Sequence, residues 1–388
     1  MEKRFVYADN AATTRISESV LAAMMPALRE GYGNPSAVYK LGREASGAVL
    51  AARKQAADAL GAKVSELYFT SGGSESDNWA IKGAAQLGAA AGKRHIVTTA
   101  VEHHAVLESC GALEKQGFEV TYLRPDVYGR VTAEQVAAAL REDTCLVSMM
   151  LANNEVGTIM PVREAAAVCH ERGVLFHTDA VQAVGQIPVD VRELGADMLS
   201  LSGHKLHAPK GIGALYIRTG VMLPRFIDGG SQERGRRAGT ENVPAVIALG
   251  QALTDAVRDI RGRAERLAAM RDRLAEGLLK IPAVTMNGHP TERLSGNLSL
   301  SFDAIEGESL LLMLDMRGIC ASSGSACAAG STEPSHVLTA MGQSERLAKG
   351  SLRLTLGDEN TEEDIDYMLA VIPECVARLR EMSPLWKG

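Results

Sequence analysis

Helical and extended spacings alternate through the first two thirds of the chain. Residues 17–30 and 43–60 are alanine-rich, with apolar positions at helical period. Each stretch runs into a glycine, Gly31 or Gly61, in a helix-stop position. Short β-branched or apolar runs then recur at residues 67–70, 95–99, 118–123, 144–150, 174–177, 198–200 and 214–217, with helical stretches between most of them. This alternation predicts an α/β layer on a mostly parallel, seven-stranded sheet. In such layers ligands sit beyond the carboxyl ends of the strands.

From about residue 241 the pattern changes. A long charged helix is predicted over roughly 243–280, followed by an extended run at 297–302, a helix at 306–317, extended runs at 320–322 and 352–356, and a last helix from Thr361. The expected organisation is a large α/β domain over residues 15–255 and a smaller α+β domain formed by residues 1–14 and 256–388. No Pro/Gly/Ser-rich linker marks the boundary, and there is no internal repeat.

Composition narrows the function. Of 388 residues, 46% are hydrophobic and 23% charged, as in ordinary globular proteins. A net charge of −6 argues against direct nucleic-acid binding. The six cysteines (Cys110, Cys145, Cys169, Cys320, Cys327, Cys375) show no CxxC spacing, which speaks against a zinc or dithiol motif and against a disulfide framework. The first residues lack the apolar core of a signal peptide, and no apolar run approaches the roughly 18 residues of a membrane span. A cytoplasmic location without membrane contact is therefore expected.

Three chemical groups stand at the ends of predicted elements. Asp179 follows the run Val174-Leu175-Phe176-His177-Thr178. Lys205 lies in Ser202-Gly203-His204-Lys205. Cys327 lies in Ser322-Ser323-Gly324-Ser325-Ala326-Cys327, a run of small residues. Singly, each has a plain structural reading: a turn cap, a solvated charge, a small buried thiol. Together they point to pyridoxal phosphate (PLP) chemistry with an added thiol nucleophile. A lysine can hold the cofactor covalently, and a carboxylate can keep its pyridine nitrogen protonated so that the ring draws electrons. Phe69-Thr70-Ser71-Gly72-Gly73-Ser74 ends a strand, turns on two glycines and opens a helix, a ready anion site.

These segments resemble the cysteine desulfurases of the NifS/IscS type, PLP enzymes of fold type I (aspartate aminotransferase-like) in the class-V aminotransferase family. The resemblance runs from Tyr7-Ala8-Asp9-Asn10 to Ser383-Pro384-Leu385-Trp386. The segment around Cys327 and the downstream Glu333-Pro334-Ser335-His336 match the long-loop group. By this resemblance Gly73, Ser74, Ser202 and His204 hold the cofactor phosphate, and Gln182 and Asn154 reach the ring oxygen. His103 stacks on the ring and passes protons, and Asn34 and Arg353 bind the substrate carboxylate. Thr240, in Arg237-Ala238-Gly239-Thr240, reaches the phosphate of the neighbouring subunit, which implies a homodimer. The implied reaction converts L-cysteine to L-alanine, with Lys205 removing the α-proton and Cys327 carrying the sulfur as a persulfide. The implied acceptor is an iron–sulfur scaffold or a tRNA-thiolation enzyme.

Departures from the family pattern are few. Ser74 replaces a common threonine, His104 a common lysine, and His207-Ala208 a common Tyr-Gly. The rival readings are a selenocysteine lyase or other class-V PLP enzyme, and a non-catalytic sulfur relay. The chain stops two residues after Trp386, where some relatives continue into a scaffold-docking tail.

Overall fold

The computed structural model describes residues 4–324 and 333–387. Its strands, in chain order, are β1 (Val6–Tyr7), β2 (Leu67–Thr70), β3 (His95–Thr99), β4 (Glu119–Leu123), β5 (Thr144–Ser148), β6 (Leu175–Asp179), β7 (Met198–Ser202), β8 (Gly213–Ile217), β9 (Val284–Asn287), β10 (Asn297–Phe302), β11 (Ile319–Cys320) and β12 (Ser351–Thr355).

The seven apolar runs of the first two thirds form one sheet, in the order β2-β8-β7-β6-β5-β3-β4. All pairings from β7 to β4 are parallel, whereas β8 runs antiparallel to both β7 and β2. Helices cover both faces, so β2, β3, β5, β7 and β8 are buried at every position, while Glu119 and Tyr122 of the edge strand β4 are exposed. Alternate residues feed two cores. Phe69, Val97, Val147, Phe176 and Leu199 pack with helices Lys40–Leu60 and Val243–Ala256. Tyr68, Ile96, Leu146 and Met198 pack beneath Trp79, Ile81 and Val106 of helices Gly73–Ala90 and His104–Glu114.

Helix ends follow local chemistry. Ser17 caps helix Glu18–Arg29 by accepting from the Val20 amide. Gly61 closes helix Lys40–Leu60 at φ 67°, where a Cβ would meet Asp190 Oδ2 at 2.1 Å. The continuous helix expected over 243–280 is instead two, Val243–Ala256 and Ile260–Leu278. Asp259 leaves helical geometry (φ −144°, ψ 58°) and its side chain caps the second helix at the Gly262 amide.

The last third builds a three-stranded antiparallel sheet, β12-β10-β9, and its β11 pairs in parallel with β1 from the start of the chain. A separate core unites Val6 and Ala8 with Leu298, Leu300, Leu352, Ile365 and Met368. No helix among the described residues is long and apolar enough to cross a membrane.

Candidate active site

A cavity of about 340 Å³ lies at the carboxyl ends of β6 and β7, under the segment that leads out of β1. Its floor is Asp179, the last residue of β6, and Ser202, the last of β7. Asp179 is 5% exposed and accepts the Val181 amide at 2.9 Å. Burial pushes its carboxyl above the ordinary value, while His103, the Val181 amide and Lys205 pull it back.

Lys205 ends the short 3₁₀ turn Gly203–Lys205 that follows β7. Its Nζ donates to the carbonyls of Ala11 and Ala12, the latter at 2.7 Å. Those carbonyls are presented by a strap over the cavity. Thr14 clamps the strap by donating from both N and Oγ1 to the His204 carbonyl, and Gln182 Nε2 donates to Ala11 O at 3.0 Å. His204 Nδ1 meets Thr13 Oγ1 at 3.1 Å, and burial, with Lys205 and Lys210 nearby, pushes this imidazole down to about 4.

Gly73 and Ser74 open helix Gly73–Ala90 at one end of the cavity. Gly72, the cap residue, offers no side chain, so the first-turn amides have no capping side chain there. A Cβ on Gly73 would meet Val181 Cγ2 at 2.7 Å, which is why the turn needs glycine. His103 caps helix His104–Glu114: its Nδ1 accepts the Ala105 amide at 3.1 Å, so in the neutral ring the proton sits on Nε2.

Asn154 and Arg353 complete the wall. Asn153, its neighbour, spends its side chain on the fold, donating to Val101 O and accepting the amides of Glu155 and Val156. Arg353 is 1% exposed; Nη2 donates to Asp9 Oδ1 at 2.9 Å and Nη1 to the Asn154 carbonyl at 3.0 Å, while Nε has no hydrogen-bond partner among the described residues.

Asn34 and Thr240 are not among the residues lining this cavity, and both are exposed. Asn34 uses its Oδ1 to accept the Ser36 amide at 2.9 Å. Cys327 falls outside the described residues. Sequence reasoning missed four acids at or near the cavity: Asp9, Asp77, Glu102 and Glu155. Asp77 lines the cavity itself, and its spacing of four from Gly73, which puts both on one helix face, is the signal that could have found it.

The aminotransferase class-V family model matches residues 6–368. The cysteine desulfurase IscS of Methanosarcina thermophila is 55% identical over 384 residues, covering 99% of this chain and 95% of that protein. Among solved structures, a NifS-like protein superposes with a TM-score of 0.91 at 40% identity, covering 97% of this chain and 100% of its own. A structure described as SspA in complex with cysteine has a TM-score of 0.81 at 39% identity, covering 90% of this chain and 98% of its own. With a helix-flanked, mostly parallel sheet carrying a buried acid and a lysine at its carboxyl edge, and with relatives alike over their full length, the chain belongs to the class-V aminotransferases and, within them, to the cysteine desulfurases.

Proposed function

We propose that this protein takes the sulfur from L-cysteine with the help of PLP, releases L-alanine and holds the sulfur as a persulfide on Cys327. The observation that carries the reading is the meeting of Lys205, Asp179 and His103 on one cavity, in a chain 55% identical to a cysteine desulfurase.

The residues present fit the cofactor. A helix start without a capping side chain suits a phosphate, and a buried carboxylate calls for a cationic partner such as a protonated pyridine. Gly73, Ser74, Ser202 and His204 would hold the phosphate, Asp179 the ring nitrogen, Asn154 and Gln182 the ring oxygen, His103 the ring face and Lys205 the aldehyde carbon. When bound, PLP supplies an aldehyde that takes up amines and a ring that withdraws electrons from the substrate α-carbon.

The chain's own groups do the rest. Arg353, anchored by Asp9, with Asn34, binds the substrate carboxylate. Lys205 Nζ accepts the α-proton, and His103 Nε2 exchanges protons with substrate and product. The Cys327 thiolate attacks the substrate sulfur; an S–S bond forms as the C–S bond breaks, and the electron pair left on carbon is quenched by a proton to give alanine. The persulfide then passes to an acceptor protein, an iron–sulfur scaffold or a tRNA-thiolation enzyme.

A two-fold dimer completes the reading. Thr240 and Asn34 stand outside their own chain's cavity, and the large apolar neighbours Tyr32 and Val38 are 82% and 86% exposed. Incubation with L-cysteine and no reductant should yield alanine and a protein heavier by one sulfur atom at Cys327. Alanine formation without that added mass would overturn the reading.

A further inference from the structure

Strand β2 ends the large sheet, so one of its edges meets no further strand among the described residues. Backbone groups on that edge are satisfied by ionic side chains. The Leu67 carbonyl accepts from Arg53 Nη1 at 2.9 Å and from Arg234 Nη2 at 2.6 Å, and the Phe69 amide donates to Glu233 Oε2 at 3.0 Å. Arg53, on helix Lys40–Leu60, also forms a bidentate ion pair with Glu233, Nη1 to Oε2 and Nη2 to Oε1, both at 2.7 Å. The two residues are 7% and 5% exposed.

Covering an edge strand requires no backbone strain. Yet Glu233 and Arg234 both lie in the left-handed region, at φ 45° and 57°, directly before Gly235 at φ 73°. Residues with a Cβ rarely adopt that conformation, and two in succession persist only where the surroundings over-determine them. Here the constraint comes from the buried Glu233 carboxylate on one side and the Arg234 guanidinium on the other, stacked 4.0 Å from the centre of the Tyr68 ring.

This strained turn governs the segment that ends in Thr240. Gln232, the neighbour of Glu233, accepts the Gly239 amide on Oε1 at 3.2 Å, so the residue before Thr240 is tied back to the turn. Between them Arg237 grips Glu75, Nε to Oε1 at 2.8 Å and Nη2 to Oε2 at 3.2 Å. Glu75 lies in the first turn of helix Gly73–Ala90, and its Oε2 accepts the Ser71 amide at 2.8 Å. Thr240 is exposed at the end of a segment fastened at both points.

We propose that Glu233, clamped by Arg53, is a positioning residue for the cofactor phosphate of the neighbouring subunit: it holds the left-handed turn that aims Thr240. The proposal deepens the functional reading and rests on it in taking Thr240 to reach across a two-fold axis. A hydroxyl on a loose segment has to be ordered at each binding event, whereas one presented by a fixed turn meets the phosphate without that cost. The competing route runs within one chain, from Glu233 through β2 to that chain's own Gly73 and Ser74.

PLP release from mixed dimers of the holoenzyme separates the two routes. With Glu233→Gln in one chain and Lys205→Ala in the other, the absorption of covalently held PLP comes only from the site that keeps Lys205. A dimer with Glu233→Gln in both chains should release PLP at least about tenfold faster than wild type, the weight of a hydrogen bond to a charged group. The mixed dimer should hold PLP as wild type does, because the lesion falls on the partner's site. Unchanged release from the first, or fast release from the second, would overturn the proposal. Arg53→Met with Glu233→Gln removes both charges together, leaves neither buried alone, and should reproduce both results where Glu233→Gln by itself fails to fold. Added to Thr240→Ala, Glu233→Gln should not speed release further; a second, additive gain would mean a general structural role and sink the proposal. Thr240→Ala in place of Glu233→Gln in the mixed dimer tests the underlying reading: fast release from its own chain's site would refute that reading. Slow release there, beside fast release for Glu233→Gln, would refute the proposal alone.

Discussion

Glu155 accepts the hydroxyl of Ser335 in the protein interior, where the two residues are 2% and 4% exposed. The same carboxyl oxygen would lie 2.7 Å from a Cβ placed on Gly324. The residues on the two sides of segment 325–332 thus converge on one acid.

That acid sets a pH dependence of stability. Burial pushes Glu155 from 4.5 up to about 7. Below the ordinary value, folded and unfolded chains both hold the proton and Glu155 adds no slope. As pH rises toward 7 only the folded state must keep it, so stability falls, by about 3 kcal/mol across the window. Glu155→Gln removes this slope while keeping an acceptor for Ser335. Denaturant midpoints measured at the two ends of the window should show the variant gaining on the wild type as pH rises. Parallel behaviour would mean that Glu155 is ionised throughout.

Lys205→Ala should purify without the absorption of a covalently held cofactor. Its sulfide release from cysteine should fall at least about 100-fold, the scale of a lost acid–base group. Asp179→Ala should still bind PLP but turn over slowly. Near-normal rates in either variant would remove that residue from the chemistry.

Alkylation should single out Cys327. Burial pushes the thiols of Cys110 and Cys169 to about 12 and that of Cys145 to about 11, and raises those of Cys320 and Cys375. At pH 8 roughly one in a thousand or fewer of the first three is a thiolate. A brief iodoacetamide pulse followed by peptide mass mapping should therefore label Cys327 first. Cys327→Ala should lose sulfide production and keep the cofactor spectrum. Early labelling of another cysteine, together with a sulfide-producing Cys327→Ala, would reassign the nucleophile.

Mixed dimers test where Thr240 acts. With Thr240→Ala in one chain and Lys205→Ala in the other, service across a two-fold axis puts both lesions in one site and spares the second. About half the wild-type activity per dimer should then survive. Service within its own chain leaves one lesion in each site and a nearly dead dimer. Thr240→Ala alone must first be shown to cripple its site.

The strands of the large sheet were legible because burial on both faces leaves continuous apolar runs, as at Leu146 and Val147 of β5. Strand β9 escaped notice: at the edge of the small sheet Val284 and Met286 are only partly buried, Thr285 is exposed, and Asn287 alone of its four residues is buried. The helix break before Ile260 was equally hidden, because an aspartate within a charged stretch reads as helix surface until its side chain is seen capping Gly262. In the site, Lys205 and Asp179 stood out by their positions at strand ends. Asp77 and Glu102 did not. An acid on a helix or in a loop reads as solvated, and only packing shows that these two are 1% and 0% exposed.

The ion pair between Arg353 and Asp9 joins residues 344 positions apart, as does the bond from the Ala11 amide to Thr355 Oγ1. The strap whose carbonyls receive Lys205 is therefore fastened by one of the last strands to leave the ribosome. A nascent chain can complete its large sheet, with the Gln182 and His204 contacts to the strap, before the Arg353 and Thr355 fastenings exist. A chain truncated before β12 should keep those early contacts yet release PLP faster than the full chain.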